Sequence, residues 1–173
     1  TWAIFSKNLV PACGCNMKRG TALKGQRQTQ ARILHPYFDD VLSARQLTTT
    51  ITNKADFGWL KATISYVNDQ HEQIESIKFH TINVVIKAGI ENWFRGRLGM
   101  LKERPYTIIR TLPKREQIQL VDLQTILENC LDDHDFEFGT PNNWHSILLH
   151  GLLHAPHIHN WLVQTHNDGV KKL

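Results

Sequence analysis

The sequence predicts an α+β fold: an antiparallel sheet with two to three helices packed on one face, plus a long basic N-terminal loop or arm. Three observations carry this reading. Residues 57–67 and 73–86 are rich in β-branched and aromatic side chains and flank the polar stretch Asn68–Asp69–Gln70, the pattern of a hairpin. Later segments place apolar residues at helical spacing. Residues 10–30 have no hydrophobic period and hold Gly14, Gly20 and Gly25, as an irregular arm does. The chain therefore divides into a basic arm over 1–35 and a single α+β domain over 36–173.

Taken in order, 36–47 holds a short helix begun at the Asp39–Asp40 pair, and the hairpin follows. In its second run Ile77 and Phe79 share one face while Ser76, Lys78 and His80 share the other. Over 88–103, Ile90, Trp93, Phe94, Arg97, Leu98 and Leu101 recur every three or four residues, an amphipathic helix that Pro105 stops. "YTIIRTL" and "EQIQLV" then read as two antiparallel strands joined through "PKR". A helix over 122–133 buries Leu123, Ile126, Leu127 and Cys130 behind an Asp122 N-cap, and Asp132, Asp133, Asp135 and Glu137 form an acidic loop after it. Residues 142–154 make a further helix, capped by Asn142 or Asn143 and ended by Pro156, and "HIHNWLVQ" closes the chain as a strand.

At 173 residues a chain buries roughly 70% of the surface its unfolded form exposes. Hydrophobic content of 41% with 21% charged residues excludes a disordered chain, and no window approaches the ~18 apolar residues of a membrane span. The start lacks the basic and long apolar regions of a secretory signal. Three cysteines, with Cys13 and Cys15 too close for an ordinary disulfide, suit a reducing intracellular, cytoplasmic setting without a membrane.

The charge is polarised. Residues 1–115 carry 18 basic and 8 acidic groups, net +10, whereas 116–173 carry 2 and 8, net −6. Lys7, Lys18, Arg19, Lys24, Arg27 and Arg32 fall in a segment without a single acid, and Arg95, Arg97, Lys102, Arg104, Lys114 and Arg115 form a second basic run. Clustered cations neutralise phosphates and release counterions, so these twelve residues are the candidate contacts to a nucleic acid, DNA or RNA. Trp59, Tyr66 and Tyr106 are candidates to stack on bases, although each also suits a core. No Gly-rich phosphate loop, nucleophile elbow or zinc-finger spacing is present.

Five histidines lie within 150–166. His150 and His154, spaced i,i+4, share a helix face, and His157 and His159, spaced i,i+2, point to one side of the expected strand. Together they are candidate ligands for a divalent metal ion, Zn or Mg/Mn, with Asp132, Asp133, Asp135 or His134 as further donors. The Gly-Leu-Leu spacer between His150 and His154 offers no glutamate base of the HExxH kind. Cys13 and Cys15 are a weaker ligand or nucleophile pair.

"PHIHNWLV", Pro156–Val163, resembles the His-hydrophobic-His strand of HUH nucleases. That resemblance implies two histidines holding a divalent ion that polarises a scissile phosphate while a tyrosine attacks. It covers about eight residues, and Tyr37, Tyr66 and Tyr106 all lie upstream. The sequence thus leads to a nucleic-acid-binding module, a subunit of a larger nucleoprotein assembly. One alternative is a metal-dependent nuclease or phosphodiesterase built on the histidine cluster. Another is a structural subunit whose basic face meets an acidic protein among its partner subunits.

Overall fold

The computed structural model describes residues 31, 33, 34, 39–54 and 59–172. These form a small α+β fold with one two-stranded antiparallel sheet and five α-helices. The described chain falls into two compact units. Residues 68–90 group with the described residues before Ser43, and Ser43–Val67 groups with Glu91–Leu173.

In the first unit, α1 (Ile74–His80) continues as a wider π-helical stretch over Thr81–Ile86. The expected second strand over 73–86 is therefore helical. Ile77, Thr81 and Val84 are buried and recur at steps of four and three, so a helical face outweighs the β-branched composition. Side chains reinforce the turns: Thr81 Oγ1 donates to Ile77 O at 2.8 Å and Asn83 Nδ2 to Phe79 O at 2.9 Å. The short helix expected near Asp39–Asp40 is a single 3-10 turn, Asp40–Ser43.

The hairpin lies in the second unit, one run earlier than expected. β1 (Leu47–Lys54) pairs with β2 (Trp59–Tyr66) in a register from Leu47 opposite Tyr66 to Lys54 opposite Trp59. "LTTTIT" alternates as a strand should: Leu47, Thr49 and Ile51 are buried, while Thr50 and Thr52 are exposed.

The helix expected over 88–103 is α2 (Ile90–Glu103), with Phe94, Leu98 and Leu101 buried. The helix expected over 122–133 is longer, α3 (Leu120–Phe138). Its N-cap is Gln119 rather than Asp122. Asp122 instead occupies the third helical position and accepts from the Gln119 backbone N–H at 3.1 Å, a reciprocal capping box. The acids Asp132, Asp133, Asp135 and Glu137 belong to this helix, which ends only where Gly139 takes φ +63°, a left-handed cap that favours glycine. α4 (Trp144–Leu153) is capped by Asn143, whose Oδ1 accepts from Ser146 N at 2.9 Å.

Three expected strands are absent among the described residues. "YTIIRTL" forms a 3-10 turn at Pro105–Thr107 and an irregular stretch that buries Ile108, Ile109 and Leu112. "EQIQLV" is irregular up to Leu120. Side chains satisfy part of this backbone where a ladder would have: Asn167 Oδ1 accepts from Ile118 N at 2.9 Å, Asn167 Nδ2 donates to Ile118 O at 2.9 Å, and His166 Nε2 donates to Glu116 O at 2.9 Å. "HIHNWLVQ" forms a 3-10 turn at Pro156–Ile158 and then α5 (His159–Val170). Ile158, Leu162 and His166 are buried at steps of four, a helical period rather than an alternation.

α4 packs on β1 and on α3, and α5 packs on α3. Leu123, Leu127 and Cys130 of α3 and Ile147, Leu148, Leu149 and Leu152 of α4 are the center of the core. The Cys130 thiol is buried with them and donates to Ile108 O at 3.9 Å, and burial raises its pKa above the ordinary value. Arg45, just before β1, is held by Pro141 O at 2.9 Å and by the Asp135 carboxylate. Asn142 Oδ1 accepts from Gln46 N at 2.8 Å, so the loop between α3 and α4 fixes where β1 begins. No helix among the described residues is long and apolar enough to cross a membrane.

Candidate functional site

A cleft of about 490 Å³ opens between the hairpin and the C-terminal end of α4. β1 supplies Thr48, Thr49, Thr50 and Ile51, and β2 supplies Ser65, Tyr66 and then Val67. Across from them stand His150, Gly151 and His154, with Ala155 and His157 beyond. Among the described residues the lining holds hydroxyls and imidazoles and no carboxylate, lysine or arginine.

Thr48 Oγ1 and His150 Nδ1 share a hydrogen bond of 2.7 Å that ties strand to helix. The His150 and His154 rings lie against each other, centroids 4.2 Å apart and 29° from parallel, as i,i+4 spacing dictates. His154 Nδ1 donates to His150 O at 2.9 Å. Burial, the neighbouring His154 and Arg45 bring the His150 pKa down to about 4, so its ring is neutral at neutral pH.

The four histidines singled out by sequence do not converge as a set. His150, His154 and His157 line the cleft, but His159 Nε2 donates to Leu152 O at 2.9 Å. Residues 156–163 are a 3-10 turn and a helix, so the strand that the HUH resemblance implies is not formed there. Among the described residues no three His, Cys, Asp or Glu side chains stand together as a metal site. Asp132 and Asp133 are exposed on α3, and Asp135 is taken up by Arg45.

A second histidine pair, unforeseen in the sequence, lies where α3 meets α4. His134 and His145 stack with centroids 4.7 Å apart and planes 9° from parallel, and Phe138 stacks with both. Trp93 of α2 meets His145 edge-on at 4.8 Å and Trp144 at 5.8 Å. His134 is 1% exposed and neither ring nitrogen has a hydrogen-bond partner among the described residues. Glu137 Oε2, 3.8 Å from its Nδ1, is committed to Arg110 at 2.7 Å. Burial first and the Arg110 charge second lower the His134 pKa, against the pull of Glu137, Asp133 and Asp135. His145 comes down to about 4 through burial, then His134, Arg97 and Arg110, with Glu137 opposing.

Both groups therefore bind protons less readily folded than unfolded, where the value is near 6.5. The His145 contribution to stability is then complete above about 6.5 and is lost as pH falls toward about 4, by on the order of 1–3 kcal/mol after solvent screening, and His134 acts in the same direction. Urea midpoints measured across this window should fall with pH in the wild type and fall less in His145→Phe. Parallel pH curves for the two proteins would show that the stack does not titrate in this window.

The basic residues divide clearly. Lys7, Lys18, Arg19, Lys24, Arg27 and Arg32, with Cys13, Cys15 and Tyr37, lie outside the described residues, as does the Trp59 side chain. Arg95, Arg104, Lys114 and Arg115 are exposed and pair with no carboxylate among the described residues. Lys102 is exposed and engaged, and it shares the Arg95 flank of α2 at i,i+7. Arg97 instead sits over the Trp93 ring, 4.9 Å from its centroid, with Nη1 3.7 Å from Met100 Sδ. By contrast Arg45, Lys78, Arg110 and Lys171 each have a carboxylate within ion-pair distance. Tyr66 lines the cleft, and Tyr106 is half-buried in the turn after α2.

Thr48, Thr50, Ser65 and His145 are residues of these sites that the sequence alone did not single out, and His134, named there as a further metal donor, stacks on His145 instead. The alternation in "LTTTIT" was the available signal for the first two. The chain matches no protein-family model, no curated protein and no solved structure.

Proposed function

We propose that this chain is a nucleic-acid-binding module whose contacts include the basic run from Arg95 to Arg115. The supporting observation is a contrast among its cations. Arg95, Arg104, Lys114 and Arg115 stand exposed without carboxylate partners among the described residues, although acids elsewhere on the same unit are paired to other cations. Unpaired exposed cations keep their hydration and counterions and are free to exchange them for phosphates, whereas paired ones have spent part of that charge locally. The acid-free segment before residue 36 carries six further cations, Lys7, Lys18, Arg19, Lys24, Arg27 and Arg32. This reading assigns no catalytic step. Phosphate contacts supply affinity, and sequence preference would come from other residues.

The test is salt dependence. Fluorescence anisotropy with a short duplex, and with a single strand of equal length, should give log affinity falling linearly with log salt. Replacing Arg95, Arg104, Lys114 and Arg115 together by glutamine should flatten the slope by about 3–4 units, near one for each phosphate that is no longer neutralised. Arg110→Gln and Lys171→Gln remove cations that are already ion-paired and should leave the slope almost as it was. A slope unchanged in the fourfold variant would remove this run from the interface. Binding to neither probe would remove the reading itself.

A further inference from the structure

The geometry of the cleft points to a metal site: we propose that His150 Nε2 and His154 Nε2 together chelate one divalent transition-metal ion of the zinc or copper class, with His157 as third donor. The two rings project from one face of α4 and its C-cap and lie 4.2 Å apart by centroid, so one ion can reach both. Each ring has its other nitrogen committed. His154 Nδ1 donates to His150 O at 2.9 Å, and His150 Nδ1 is hydrogen-bonded to Thr48 Oγ1 at 2.7 Å. His154 Nδ1–H faces a carbonyl, which leaves its Nε2 lone pair free, and metal binding selects the His150 tautomer in which Nδ1–H donates to Thr48 Oγ1 and Nε2 is free. Neither Nε2 has a hydrogen-bond partner among the described residues, and neither is sealed from solvent. An imidazole steadied through one nitrogen by a carbonyl or hydroxyl, and open at the other, is how proteins orient histidine toward a metal.

The donor type selects the ion. Imidazole suits zinc, copper and nickel, while magnesium and calcium want carboxylate and carbonyl oxygen, and no carboxylate among the described residues lines this cleft. His157 lines the same cleft with an exposed side chain just past Pro156. Because no three such ligands already stand together among the described residues, His157 joins by rotation of that side chain. His159 is not in the set, since its Nε2 serves Leu152 O. Two or three imidazoles leave at least one coordination position for water or a substrate atom, and Thr48, Thr50 and Ser65 hydroxyls lie in the same cleft. This site shares no residue with the basic run, so either can fail alone.

The experiment uses the full chain, without a histidine tag and freed of metal by chelator, titrated with Zn(II) by calorimetry and with Cu(II) by electron paramagnetic resonance. One equivalent should bind, with nitrogen couplings from at least two imidazoles on copper. His154→Gln, at an exposed position that leaves the fold intact, should weaken binding at least tenfold, and so should His150→Gln. Thr48→Val, which removes only the steadying hydroxyl, should weaken it by about 10–100-fold. His159→Gln should leave affinity unchanged. Unaltered affinity in His154→Gln, or no binding of either ion to the wild-type chain, overturns the site.

Discussion

Phe94→Ala should lower the folding free energy by about 3–5 kcal/mol, the cost expected from transfer of a buried aromatic plus the cavity it leaves. Phe94 is 0% exposed on α2, with Leu98 and Leu101 buried one and two turns on, so the helix cannot rotate to refill the space without exposing them. Its ring also meets Trp93 edge-on at 5.8 Å, and Trp93 reaches Trp144 and His145 of α4. The substitution should therefore loosen the histidine stack as well as the core. Urea unfolding gives the first effect, and the ring-proton shifts of His134 and His145 give the second. A neutral Phe94→Ala would mean that α2 presents another face to the core.

Gly151→Ala should have the next largest effect for the smallest chemical change. A Cβ at this position would stand 1.8 Å from Thr49 Oγ1 and 2.5 Å from Thr49 O. The hydroxyl can rotate away, but the carbonyl belongs to β1 and can yield only by moving the strand. Overpacking of this kind costs about 1–3 kcal/mol. It also acts on function, because Thr48 and His150, each the chain neighbour of a clashing residue, are the pair joined across the cleft at 2.7 Å. Separation of α4 from β1 should break that bond. Unfolding midpoints together with the zinc affinity of the variant measure both consequences. Wild-type values for both would mean that the helix stands off the strand by at least the width of a methyl group.

How much of this was legible in the sequence differs by element. α2 announced itself because Phe94, Leu98 and Leu101 keep the helical period across fourteen residues, despite Gly96 and Gly99. The Asn143 cap was readable from residue type alone. The run 73–86 misled because its β-branched composition and the Ile77/Phe79 alternation competed with the Ile77, Thr81, Val84 period, and burial sided with the period. β1 was passed over because threonine carries a weak hydrophobic signal, even where it alternates. The segments after Pro105 look like strands one at a time. Their partners are instead side chains of Asn167 and His166, 49 and 50 residues away, which no local pattern displays.

The candidate site follows the same division. Proximity of His150 and His154 is local and followed from i,i+4 spacing. Thr48, which fixes the His150 ring, lies 102 residues earlier and came only with the fold. His134 and His145 likewise needed the packing of α3 on α4. Charge needed no fold for its sum, but it did need one to show that Arg97 rests on Trp93 while Arg104 and Lys114 face solvent.

The buried Cys130 gives the second unit a built-in clock. Its sulfur lies under Ile108 at 0% exposure, and burial holds it in the unreactive thiol form. An alkylating reagent can therefore modify it only in molecules where α3 has parted from the 108–112 stretch. The rate of mass gain at this one position, read against a free peptide thiol, gives the population of that opened form under native conditions. Followed with and without zinc, or with and without an oligonucleotide, the same rate would show which ligand closes the unit, without denaturant.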